Sequence, residues 1–217
     1  MPSATGRTPG CFAEAMPPLG YPDQALQRGH EALTLAQELA HPFSLAYALV
    51  FAAWLHHLRW DAYLTYERAE AIIVLAAEQG FAALVALGTL LRGWALAEWC
   101  AEPGARQGTG EEGMALLQQG LTAWRATGAE GNRPYYLALL AEAAARAGQR
   151  EAGLTWLAEA LVVVDDTGER RWEAELHRLK GELLLARATE QETEVETCLR
   201  QALDVARHQQ VVAEIGQ

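Results

Sequence analysis

The sequence predicts an all-α protein: a solenoid of antiparallel helix pairs stacked with a repeat of about 40 residues. Three observations carry that expectation. Apolar residues recur at helical spacing in one segment after another, and no segment sustains the alternation of a strand. Alanine and leucine, both strong helix formers, supply about a third of the 217 residues. Small residues also return at one helical phase along the whole chain, as described below.

Taken in order, residues 1–20 are rich in Pro, Gly and small side chains and contain no apolar run of signal-peptide length. They are expected to be a loose leader. The repeat domain follows over 21–210, with 211–217 as a tail. Helices are expected at about 23–39, 43–59, 62–79, 82–99, 111–127, 134–147, 150–166, 170–187 and 194–209. Gly80, Gly128 and Gly168 each fall just after a periodic segment, where a left-handed residue closes a helix. Thr109-Gly-Glu-Glu112 and Thr193-Glu-Val-Glu196 have the spacing of capping boxes. Asn132 followed by Pro134 marks another helix start.

The repeat lies in two interleaved rows of small residues. Ala32, Ala71, Gly120, Ala160 and Ala202 form one row, at intervals of 39, 49, 40 and 42. Ala53, Gly93, Ala141 and Gly181 form the other, at intervals of 40, 48 and 40. Both rows jump by eight or nine residues once, and the two long gaps overlap only between Gly93 and Gly120. One loop insertion, about 101–109, explains both jumps. Small residues at one phase let paired helices approach closely where they cross, and stacked pairs then share a continuous core.

Composition excludes several classes. A net charge of −11 and a pI near 5.0 repel phosphate backbones and anionic lipid surfaces, so neither a nucleic-acid nor a membrane partner is expected. The longest apolar runs, 43–55 and 81–91, are shorter than the roughly 20 residues that cross a bilayer. Three cysteines, Cys11, Cys100 and Cys198, are far apart and include no CxxC, which fits a reducing, cytoplasmic compartment without disulfides.

No catalytic or metal-binding constellation stands out, and neither a cofactor nor enzyme activity is expected. Gly108 to Gly113 matches GxGxxG, but no strand precedes it, and Glu111 and Glu112 occupy the helix start that a pyrophosphate would need. Glu38 and His41 have the ExxH spacing of carboxylate-bridged metals without a second copy. Ser3 and Ser44 are the only serines, and neither belongs to a nucleophile motif. Charge runs such as Glu67-Arg68-Glu70 read as solvated helix faces.

The two rows resemble the small-residue pattern of tetratricopeptide repeats, and the period near 40 resembles the longer repeats of MalT-type regulators. Residues 20–26 (GYPDQAL), 91–97 (LRGWALA) and 173–185 (EAELHRLKGELLL) are similar to the helical-repeat region of large bacterial signalling ATPases and adenylate/guanylate cyclase-type proteins. The resemblance implies a right-handed solenoid that serves as the sensor or coupling arm of a signalling protein. Its concave groove would bind a protein or peptide, or, as the alternative, a small effector. A structural spacer, or a truncated piece of such an ATPase-cyclase, is a third reading. The enzymatic parts are not carried over, because the chain has no GxxxxGK[ST] and its one lysine is Lys180.

The resemblance also places the groove. Trp54 and Trp94 follow the small residues Ala53 and Gly93, at the phase that faces the concave side in such repeats. The same phase gives Tyr47, Val50 and His57, then Leu87, Leu90 and Glu98, then Tyr135, Glu142 and Arg146, and finally Glu175, Arg178 and Glu182. The groove is expected to be aromatic towards its N-terminal end and of mixed charge towards its C-terminal end. The first and last helices both match the second helix of a pair, so self-association through open solenoid ends is a further expectation.

Overall fold

The computed structural model describes residues 22–99, 109–185 and 192–215. Among these, every regular element is helical. The order is α1 (Pro22–Glu38), α2 (Pro42–Leu58), α3 (Ala62–Glu78), α4 (Ala82–Trp99), α5 (Thr109–Ala126), α6 (Arg133–Arg146), α7 (Arg150–Thr167), α8 (Glu173–Leu185) and α9 (Glu192–Ile215). The all-α expectation therefore stands. The expected leader lies outside the described residues, as does nearly all of the expected insertion.

Two boundaries differ from the sequence reading. The segment expected to open the eighth helix is a 3-10 turn over Arg170–Trp172, joined directly to α8. The ninth helix runs past 209 to Ile215, so most of the expected tail continues the helix. No Gly or Pro interrupts 192–215 to stop it earlier.

Several connections among the described residues are short and chemically explicit. Gly80, Gly128 and Gly168 have φ of +72°, +79° and +72°. Gly168 caps α7 by donating its N–H to the Val164 carbonyl. His41 caps α2, its Nδ1 accepting the Ser44 N–H at 3.3 Å. Asp61 caps α3 by accepting the Leu64 N–H at 2.9 Å. Both side chains satisfy donors that the first helical turn leaves without partners.

Each helix packs against its neighbours in sequence, and the even-numbered helices also touch one another: α2 with α4, α4 with α6, and α6 with α8. Ile72, Leu90, Trp94, Leu117, Leu140, Leu157 and Leu176 are fully buried in the resulting core. A smaller cluster of Leu184, Val195 and Cys198 ties α9 to α8.

The most intimate contact is the seam between α4 and α5. A Cβ added to Gly113 would lie 2.6 Å from the Ala97 nitrogen and the Gly93 oxygen. One added to Gly93 would lie 2.8 Å from the Gly113 oxygen, and one on Gly120 would lie 2.9 Å from the Leu90 nitrogen. Gly93 and Gly120 come from the two rows read in the sequence; Gly113 belongs to neither row and closes the GxGxxG match. Backbone meets backbone here only because no side chain intervenes.

Candidate ligand pocket

The site begins with a stripe on α2. Phe43, Tyr47, Val50 and Trp54 are spaced i, i+4, i+7 and i+11, which places them along one face of the helix. Phe43 stacks on Tyr47 with ring centroids 5.9 Å apart and meets Phe81 edge-on at 5.3 Å. Ring contacts continue from Tyr47 to Phe51, Trp54, Tyr135, Tyr136 and Trp124, with centroid separations of 5.1, 5.5, 5.8, 5.5 and 5.5 Å. Aromatic edges in contact at such distances hold one another in place.

This chain of rings borders a cavity of about 310 Å³. Phe43, Tyr47, Trp54, Phe81, Trp124 and Tyr136 line it, and Val50, Leu84 and Leu87 complete much of the wall. The pocket lies where α2, α4 and α6 begin and α5 ends. No Asp, Glu, Lys, Arg or His is among its lining residues. Its volume is at the lower end of the roughly 300–1,000 Å³ typical of small-molecule sites. A wider hollow of about 660 Å³ lies along α1, but Leu26, His30, Thr34 and the rest of its lining belong to that one helix, so it is open surface.

Three of the lining residues also carry polar atoms that are buried in the surrounding packing, out of reach of the cavity, and left unpaired. Trp54 Nε1, Trp124 Nε1 and Tyr136 OH are buried without a hydrogen-bond partner. Burial holds the Tyr136 phenol above its usual range, with Glu169 and Tyr47 adding to the effect, so the group remains a donor through the neutral range. Asn132, also in the lining, has φ +59° at the start of α6, and its backbone N–H donates to Glu169 at 3.0 and 3.1 Å.

Behind the pocket lies a second group. Trp94 is fully buried, meets the His57 ring edge-on at 4.2 Å and donates its Nε1–H to Glu142 Oε2 at 3.0 Å. Burial chiefly pushes the Glu142 carboxyl up to about 7; the Trp94 hydrogen bond opposes this, Glu175 and Glu98 reinforce it, and Arg146 opposes it. Burial also pulls His57 down to about 3, so it is neutral at physiological pH. Tyr135 stacks on Trp172 at 4.5 Å, and burial raises its phenol well above the usual range, with Tyr136 and Glu142 contributing.

Further along the same helices the charges pair. Glu98 and Arg146 form an ion pair, and the Arg146 guanidinium sits 5.2 Å from the centre of the Trp60 ring. Arg178 binds Glu175 at 2.8 Å and also Glu182, contacts that hold the guanidinium above its already high range.

The candidate residues from the sequence thus fall into three neighbouring groups. Tyr47, Val50, Trp54 and Leu87 line the pocket. His57, Trp94, Tyr135 and Glu142 form the buried layer behind it, and Glu98, Arg146, Arg178 and Glu182 make the ion pairs. The expectation that these residues line an open groove needs correction: Trp94 is 0% exposed, Tyr135 3% and Leu87 5%. The even-numbered helices pack on one another, so large rings fill the space that an open groove would occupy.

Eight of the lining residues were not anticipated: Phe43, Phe81, Ala82, Ala83, Leu84, Trp124, Asn132 and Tyr136. Trp124 lies on α5, outside the even-numbered helices that supplied the candidates, while Phe81 and Asn132 sit in turns. Tyr136 adjoins Tyr135 and could have been considered with it. Phe43 was also available, since it extends the α2 stripe by one turn.

Among the described residues, no three His, Cys, Asp or Glu side chains form a group that could hold a metal ion. No described helix is long and apolar enough to cross a membrane. No protein-family profile matches the chain. An uncharacterized protein of Rhizobium meliloti (strain 1021) is 31% identical over 191 residues, which are 88% of this chain and 17% of that protein. The chain therefore spans about a sixth of the length of this relative.

Proposed function

We propose that this chain is a non-catalytic, ligand-sensing helical-repeat module, and that the aromatic pocket is its recognition site. In this reading the nine described helices are turns of a right-handed, tetratricopeptide-like solenoid of the MalT type. The module would serve as the sensor or coupling arm of a larger bacterial regulatory protein. Similarity to a short part of a long bacterial protein is consistent with that setting. The observation that carries the reading is the cavity of about 310 Å³, walled by aromatic rings and lined by no charged residue. Such an enclosure suits a compact small effector better than an extended chain.

A second reading, a protein or peptide that inserts one apolar side chain, is favoured by Phe43 and Trp60. These are 42% and 53% exposed and stand on the surface near the pocket and the Arg146 ion pair. Exposed aromatics are frequent anchors of protein interfaces.

Titration with N-phenyl-1-naphthylamine, a neutral apolar fluorophore, tests the pocket. Saturable binding with one site per chain, abolished by Ala83→Leu in the pocket wall, is the expected result. Absence of binding, or binding indifferent to Ala83→Leu, overturns the reading.

A further inference from the structure

We infer that the pocket selects an uncharged, hydrocarbon-rich ring compound, recognised by its apolar area rather than by charge or hydrogen bonds. This inference rests on the pocket being the recognition site and adds the chemistry of its occupant. Size comes first. Six aromatic side chains line a space of about 310 Å³, and Val50, Leu84 and Leu87 close much of the rest. At the packing density of protein interiors, about 0.75, that space takes roughly 230 Å³ of ligand atoms, room for two fused rings with a short substituent.

Charge comes next. An ion entering this space would shed its water without meeting a formal counter-charge, because no lining residue is ionic. The chain's net charge of −11 further disfavours an anion. A cation would be drawn to the negative faces of rings. Four such faces around the pocket are already taken. Phe43 with Phe81, Phe51 with Trp54, Trp54 with Tyr135, and Trp124 with Tyr136 all meet edge to face, at interplanar angles of 72–88°. In each pair the positive edge of one ring occupies a negative face of the other.

Hydrogen bonding offers little in return. The Trp54 and Trp124 indole nitrogens and the Tyr136 hydroxyl are buried in the surrounding packing, out of reach of the cavity. The Asn132 backbone is also committed: its N–H is given to Glu169, and its carbonyl accepts the Tyr136 N–H. A polar group on the ligand would lose its water for little compensation. Apolar carbons lose nothing on leaving water and gain contact with the rings.

Calorimetric titration of the full chain with shape-matched naphthalenes tests the inference. 2-Isopropenylnaphthalene, 2-acetylnaphthalene and 2-naphthoate share one planar outline and differ in polarity and charge. 2-Neopentylnaphthalene and trimethyl(2-naphthylmethyl)ammonium form a second pair that differs only in charge. The isopropenyl compound is expected to bind about 10-fold more tightly than the ketone, the cost of burying an uncompensated carbonyl. Each ion is expected to bind at least about 30-fold more weakly than its hydrocarbon counterpart. Ala83→Leu should abolish hydrocarbon binding. A ketone that binds as tightly as the hydrocarbon, or more tightly, overturns the inference, and so does an ion that outbinds its isostere. If N-phenyl-1-naphthylamine binds and responds to Ala83→Leu while the ketone or an ion wins, only the ligand chemistry fails. If neither the fluorophore nor any naphthalene binds, the pocket reading fails with it.

Discussion

The seam between α4 and α5 and the pocket bordered by α2, α4, α5 and α6 fill space in opposite ways. At the seam, Gly93, Gly113 and Gly120 let two backbones touch, and a single added carbon would collide at 2.6–2.9 Å. At the pocket, rings that meet edge to face leave about 310 Å³ unfilled between them. Helices α4 and α5 take part in both. The comparison teaches that rigidity and hollowness are set here by residue size along the same helices. Close packing at the seam fixes α4 against α5, so the pocket wall that they share is held by contacts outside the pocket.

The largest expected effect breaks the seam. Gly113→Leu forces α4 and α5 apart, and equilibrium urea unfolding should show a loss of about 3 kcal/mol or more, or no cooperative fold at all. If the variant unfolds like the parent, the backbone contact is not what holds these helices.

The layer behind the pocket should reveal itself through pH. The Glu142 carboxyl, raised to about 7, binds its proton more tightly folded than unfolded, so its contribution to stability declines as pH rises from about 4.5 to 7. His57, lowered to about 3, acts oppositely: its contribution rises between about pH 3 and 6.5. The two slopes cancel over much of their overlap, which leaves the parent nearly flat there. Glu142→Gln keeps an acceptor for the Trp94 Nε1–H and removes only the titration. Parent minus variant stability should therefore fall by up to about 3 kcal/mol between pH 4.5 and 7. A pH-independent difference would show that Glu142 titrates normally.

Much of the fold was legible because its signals are local. Gly80, Gly128 and Gly168 mark helix ends through one backbone angle, and helical periodicity places the first eight helices within about three residues, while α9 runs six residues past its expected end. The rows also located close contacts at Gly93 and Gly120, since a missing side chain is written directly in the sequence. The pocket was only half legible. Tyr47, Val50 and Trp54 of α2 and Leu87 of α4 lie at the phase that the resemblance gave, but Trp124 and Phe81 reach it from α5 and from the segment before α4, and their convergence depends on how helices pack. Burial was the least legible property. Trp94 and Tyr135 occupy the expected phase, yet the mutual packing of α2, α4, α6 and α8 encloses them.

Adding carbon in the pocket should have the opposite sign from adding it at the seam. Ala83→Leu places methyl groups into free volume, and a gain of about 1 kcal/mol in urea unfolding is expected as apolar surface leaves water. A loss comparable to that of Gly113→Leu would mean that the cavity wall is as tightly packed as the seam and cannot admit a ligand.

The smallest effect sharpens the comparison most. In a site built only for stability, deleting a buried hydroxyl that lacks a partner should do no harm. Tyr136→Phe should then raise stability by about 0.5–1 kcal/mol, because the phenol no longer has to be stripped of water without compensation. If thermal unfolding shows Tyr136→Phe to be destabilised, the hydroxyl already has a partner in solution, and the rings around it are packed with that partner in place.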